Sequence, residues 1–293
     1  MILRTDTDIV PRLRLGDAVD SAVDWVTSTF DDLFDHVRSV LEWCYELLQH
    51  VLGGPPFWVV ALVLAAVAFL VKGWRLAVGS LVGFVVIAGV DQWDNAMDTL
   101  ALVILASLVA LVLAVPVGIW AARNDHVSRI VRPVLDFMQT MPAFVYLIPT
   151  VVIFHVGVVP GLVATVIFAM APGVRFTELG IRQVDREVVE AGHAFGSGEG
   201  RILRQIQLPL AMPTIMAGVN QVIMLALSMV VISGMVGAGG LGRDVVSSLQ
   251  RVNVSLGFEA GLSVVILAMF LDRVTAALGA RSKVARALAV AHA

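Results

Sequence analysis

Apolar positions in this chain are gathered into blocks, with polar residues confined mostly to the stretches between them. Uncharged apolar runs occupy 57–71, 76–90, 99–121, 141–154, 156–171, 210–236 and 260–271. A helix crossing the hydrocarbon core needs about 20 residues, some of which polar flanks can supply. Each run therefore predicts a span, seven in all. A transmembrane barrel would show segments of about ten residues with period-two alternation, and the chain has no such pattern. The expectation is an all-α polytopic bundle.

Ahead of the first run the pattern changes. Val19, Val23, Val26, Phe30, Phe34, Val37, Leu41, Leu48 and Leu52 recur at helical intervals, which predicts one amphipathic helix. Its polar face carries Asp17, Asp20, Asp24, Asp31, Asp32, Asp35, Glu42 and Glu46, whereas helices that bind anionic lipid present Lys and Arg. It is expected to pack on the chain's own spans or to lie at the outer surface. GGPPF at 53–57 ends it, since proline cannot continue a helix. The first 56 residues lack the apolar core and cleavage site of a removed signal peptide, so the mature chain is expected to begin near Met1.

Composition narrows the class. Hydrophobic residues make up 58% of the 293 and charged residues 15%, against roughly a quarter charged in soluble domains. The chain is an integral membrane protein with the lipid bilayer as its solvent. The single cysteine, Cys44, rules out an internal disulfide and reads as a small buried hydrophobe.

Charge supplies an orientation. Lys72, Arg75, Arg123, Arg129, Arg132, the five arginines from Arg175 to Arg204, and Arg273, Arg281, Lys283 and Arg286 fall on alternate connections, so one side holds fourteen of the twenty basic residues. Basic residues near span ends accumulate on the cytoplasmic side. The expected arrangement is an extracytoplasmic segment 1–56, a permease domain 57–280 with a cytoplasmic loop 174–209, and a cytoplasmic tail 281–293. The amino terminus would be outside and the carboxyl terminus inside.

Candidate chemistry is sparse. GAGGLG at 237–242 matches a dinucleotide-binding pattern, but that pattern needs a preceding strand and a βαβ unit. Here the glycines are expected to permit a tight turn or close backbone approach. No nucleophile with a histidine partner, paired-carboxylate site or H-E-x-x-H stands within the spans, and His155 has no second ligand at metal spacing. A phosphate-cradling G-x-x-x-x-G-K-[ST] is also missing. The expectation is a non-catalytic chain without a metal, a bound cofactor or a nucleic-acid partner.

Polar side chains inside spans are costly and tend to mark a pathway. Asn220, Gln221, Ser228 and Ser233 lie in the sixth run, and Gln139 and Thr140 flank the fourth. They are candidates to line a translocation path. The competing reading is that they hydrogen-bond neighbouring helices. Asp272 and Arg273 read as charges at the end of the seventh span.

The polar stretch DREVVEAGHAFGSGEGRILRQIQLP, 185–209, predicts a short helix to Phe195 with an apolar face able to dock on another protein. A glycine break at Gly196 and Gly198 follows, and a second helix then leads into the sixth span. That arrangement would let a cytoplasmic partner push on the membrane domain.

These residues resemble the EAA loop of type I ATP-binding cassette importer permeases. Glu190, Ala191, Gly196, Ile206, Leu208 and Pro209 match its spacing, and Gly192 stands where the second alanine would be. Phe195 closes the same helix. FMQTMPAFVYLIP at 137–149 and QLPLAMPTIMAGVNQVIMLALSMVVISGMVGAGGLG at 207–242 resemble the glycine betaine/proline permease subfamily, with similarity over about residues 16 to 280. The resemblance implies a homodimer in the bacterial inner membrane, two ATPase subunits that carry ATP and Mg, and an extracytoplasmic binding protein. The coupling residues implied are Glu190, Ala191, Gly192, Phe195, Gly196, Ile206, Leu208 and Pro209. The alternative from another class is an ion-coupled secondary transporter or channel. It would keep charges and broken helices near the midplane in two related halves, and neither a mid-span carboxylate nor two halves is seen.

Overall fold

The computed structural model describes residues 14–280. The tail 281–293 and the first thirteen residues of the amino-terminal segment lie outside the described residues. Among those described there are thirteen α-helices, one π-helical turn and no strand.

The amphipathic segment forms two helices, α1 (Leu15–Thr29) and α2 (Asp31–Gly53), where the periodicity predicts one. They part at Phe30, whose backbone leaves the helical region. Helix α2 packs on the bundle, with Tyr45 buried and Gln49 Nε2 donating to Asp98 at 2.8 Å. Helix α3 (Phe57–Lys72) turns by 100° from α2 at the Gly-Gly-Pro-Pro junction. Gly73, at φ 93°, then reverses the chain into α4 (Trp74–Gly89).

Helix α5 (Trp93–Arg123) is followed by α6 (Asp125–Thr140) and α7 (Ala143–Phe154), the last two bent by 96° at Met141-Pro142. Helix α8 (Val158–Arg182) leads to the polar stretch, with α9 (Arg186–Ala194), α10 (Glu199–Ile202) and the π turn (Leu203–Gln207). Helices α11 (Leu208–Gly234), α12 (Gly240–Arg251) and α13 (Val254–Ala280) complete the order. The seven apolar runs fall on α3, α4, α5, α7, α8, α11 and α13. Four helical stretches are long and apolar enough to cross a membrane, and up to six if each bent pair counts as one span. The fourth run is cut to a 12-residue helix between Pro142 and His155.

Helices α5, α8 and α11 form the centre. Lipid gives helices no hydrophobic reason to associate, so close backbone approach has to supply the attraction. Glycines on α8 provide it. A methyl group added at Gly161 would sit 2.7 Å from Ser233 Cβ, and one at Gly173 2.8 Å from Ala114 Cβ. On the far flank Phe84 stacks edge-on with Trp93 and Phe270, with centroids 6.2 and 5.1 Å away. These contacts join α4, α5 and α13.

GAGGLG forms the turn into α12, a helix absent from the sequence reading. A Cβ at Gly234 would lie 2.3 Å from the carbonyl carbon of Gly242, so the two backbones touch. Leu241 N donates to Thr99 Oγ1 at 2.9 Å. The close-approach expectation for these glycines holds.

Candidate functional site

The polar stretch is built by local hydrogen bonding. Asp185 caps α9 by accepting from the Glu187 N–H at 2.9 Å. At the other end Gly196 N donates to His193 O at 2.8 Å and Ser197 N to Gly192 O at 3.1 Å. That pair of bonds is the Schellman stop, which requires a left-handed residue. Gly196 supplies it at φ 72°. No residue of α9 is buried; Glu190 and Ala191 are exposed, and Phe195 just beyond is 90% exposed.

The following elements are one rod. From Glu199 to Gly234 the chain is a continuous helical stretch of 36 residues. The π turn ends two residues before Pro209, where the missing N–H and the ring would otherwise break the ladder. Ile202 is 1% exposed, Ile206 meets Gly192 of α9, and Leu208 packs with Ile181, Ala211 and Ile215. A Cβ at Gly192 would approach Ile206 Cδ1 to 2.8 Å, so the glycine lets α9 lie close on the rod. Ile206 thus joins α9 to the helical stretch that continues as α11.

Helix α8 runs on to Arg182, so residues 174–182 belong to a helix and the loop proper begins at Gln183. This exposes a feature the sequence reading missed. Glu178, 2% exposed, accepts from Arg132 Nη2 at 2.8 Å, Ser128 Oγ at 2.7 Å and Arg182 Nε at 2.9 Å. Arg182 also reaches Asp125 at 2.7 Å and Ala121 O at 2.8 Å. Arg175 pairs with Asp136. Five residues before the loop, Glu178 and its partners tie α5, α6 and α8 together. The carboxyl of Asp125, at the start of α6, is held below the usual carboxylate range by its hydrogen bond from Arg182.

The candidate path residues separate into two groups. Asn220 Nδ2 donates to Asp272 Oδ1 at 2.9 Å, and Asn220 Oδ1 accepts from Thr275 Oγ1 at 2.5 Å, both on α13. Asp272, read from sequence as a charge at a span end, is part of this contact between helices. Ser233, 0% exposed, donates to Gly161 O at 3.2 Å and lies 3.3 Å from Thr165 Oγ1 on α8. Gln221 and Ser228 lie on the exposed face of α11 with Ala217, and Gln139 is exposed near the end of α6.

A bundle of membrane-length helices with an exposed, glycine-stopped helix next to a central one defines a polytopic membrane protein. Comparison with known proteins gives the family. The family described as binding-protein-dependent transport system inner membrane component matches residues 114–284. The chain belongs to that family of ATP-binding cassette importer permeases, and the ion-coupled alternative is set aside. It is 47% identical over 268 residues to the glycine betaine transport system permease protein OpuAB of Bacillus subtilis, covering 92% of this chain and 95% of that protein. It is 46% identical to the glycine betaine/proline betaine permease protein ProW of Escherichia coli, covering 92% and 77% of the two chains. The same identity, over 94% and 98%, relates it to the glycine betaine/carnitine permease protein GbuB of Listeria monocytogenes. A solved inward-facing structure of the MetNI methionine ABC transporter matches with TM-score 0.59 and 22% identity, covering 67% of this chain and 95% of that one. It shares the fold.

Proposed function

We propose that this chain is the membrane-spanning subunit of an ATP-driven importer of glycine betaine or a related small quaternary amine. The relatives' substrates support the cargo, and the observation that carries the mechanism is α9, with its exposed Phe195 and its rigid continuation into α11. Two copies would form the conduit and two cytoplasmic ATPase subunits, carrying ATP and Mg, would dock on the α9 helices. An extracytoplasmic binding protein would deliver the ligand. Quaternary ammonium groups are normally held in aromatic cages, whereas the chain has two tyrosines and only scattered phenylalanines and tryptophans, and none of the candidate path residues is aromatic. High affinity therefore belongs to the delivery protein, and the membrane subunit provides a weakly polar gated route.

The orientation follows the basic residues: amino terminus outside, α9 inside, in the bacterial cytoplasmic membrane. The free face of α11 suits a route between two copies, because Gln221 and Ser228, seven residues apart, share it. Gln139 would join that route, with Asn220 and Ser233 holding α11 to α13 and α8 beside it.

Uptake of labelled glycine betaine into proteoliposomes containing this chain, its ATPase and the binding protein tests the proposal. ATP-dependent accumulation that requires the binding protein is expected. Accumulation driven by an ion gradient without ATP would overturn it.

A further inference from the structure

Helices α4 and α13 leave a groove of about 880 Å³ between them. Lys72, Arg75 and Arg273 stand at one end of it, and the walls beyond are apolar, including Val82, Ile266 and Met269. We infer that this groove binds an anionic phospholipid, with its phosphate at the three cations and an acyl chain along the groove.

Dimensions favour this occupant. The lining runs from Arg75 to Val86 on α4 and from Leu262 to Arg273 on α13, eleven helical steps on each, or about 16 Å at the helical rise. One leaflet is roughly half of a ~30 Å hydrocarbon core. The groove thus spans the depth of one leaflet from its charged mouth.

Charge favours it as well. Among the described residues Lys72 and Arg75 form no ion pair, while Arg273 approaches its neighbour Asp272 at 4.0 Å. Trp74 lies at the same level, 65% exposed and 5.9 Å beneath the Arg75 guanidinium, as aromatic side chains do at the headgroup boundary. Five residues along α4 from Arg75, Ser80 lines the groove with its hydroxyl enclosed and without a hydrogen-bond partner among the described residues. That hydroxyl lies some 7 Å along α4 from the cations, at about the depth of a glycerol ester carbonyl. The chain's own tail is a poor rival occupant, since residues 281–286 carry three further cations in the sequence and none of the anionic charge that the three at the mouth would attract.

The test is native mass spectrometry of the full chain, purified from membranes and supplied with phosphatidylglycerol or phosphatidylcholine of matched acyl chains. Phosphatidylglycerol should be retained at least about fivefold over phosphatidylcholine, and each of Lys72→Gln, Arg75→Gln and Arg273→Gln should lower its retention by about fivefold. Gly79→Leu should lower retention of both lipids without disturbing the fold, because a Cβ at Gly79 meets nothing within 4 Å. Equal retention of the two lipids, or unchanged retention in the triple variant, overturns the inference. So does efficient disulfide crosslinking of Val82→Cys to a second copy in a Cys44→Ala background, which would make the groove an interface between copies.

Discussion

Asn220 on α11 donates its amide to the carboxylate of Asp272 on α13 at 2.9 Å and accepts from Thr275 one helical turn further on. A single side chain thus satisfies a charged acceptor and a hydroxyl donor between two helices fifty residues apart in sequence. In hydrocarbon, where a lone polar group has no water to turn to, such a bond is a packing device.

Replacing it tests that role. Asn220→Leu should lower the stability of the purified protein by about 1–2 kcal/mol, because Asp272 loses a partner. Asn220→Leu with Asp272→Leu should recover part of the loss. Thermal unfolding in detergent measures both, and uptake per folded molecule should be little changed.

Gly196→Val should spare membrane insertion and damage coupling. A β-branched residue in the left-handed region costs about 1–3 kcal/mol, which depopulates the Schellman stop by roughly 5–150-fold. ATP hydrolysis by the assembled complex should persist while uptake falls. Gly196→Asn, which tolerates the left-handed region, should retain most of the coupling.

The clamp at Glu178 predicts a coupled pair. Glu178→Gln and Arg132→Gln should each loosen α6 on α8, and a double-mutant cycle should give an interaction energy of about 0.5–3 kcal/mol. Independent, additive effects on unfolding would show that the two side chains do not act together.

Asp125 predicts the pH response of the start of α6. Its folded pKa is depressed by Arg182, so the ionised pair stabilises the fold above the unfolded value of about 3.9 and the contribution is lost as pH falls through the folded value. Amide protection at residues 125–129 should therefore hold at pH 5 and decay only below about pH 4. Asp125→Asn should remove that acid-dependent decay.

Topology is open to labelling. Asp20 is exposed on α1, and in a Cys44→Ala background Asp20→Cys should react with an impermeant thiol reagent on intact cells. Reaction only after lysis would reverse the orientation drawn from the basic residues.

The short helix of the polar stretch and its glycine stop were legible because their structure is local. Asp185, Gly196 and Ser197 set the limits of α9 through bonds spanning two to five residues, and the sequence shows all the participants. Gly192, a departure from the expected alanine, has a meaning that only the fold supplies: its bare Cα lets Ile206 approach. Helix α12 was hidden because a 12-residue amphipathic helix behind a glycine turn looks like a loop.

Glu178 was overlooked because a carboxylate among arginines ordinarily reads as a solvated charge run, and nothing in the order of residues says that Ser128 and Arg132 come to enclose it. The same holds for the amides and hydroxyls of α11. Hydropathy and helical period determined that the chain crosses a bilayer as helices and where the polar stretch interrupts them, because burial in lipid and backbone hydrogen bonding act within each segment. Which face of α11 meets α8, which meets α13 and which stays free was decided by close packing among helices distant in the chain. The sign of a polar residue's contribution depends on the partner that this packing brings to it.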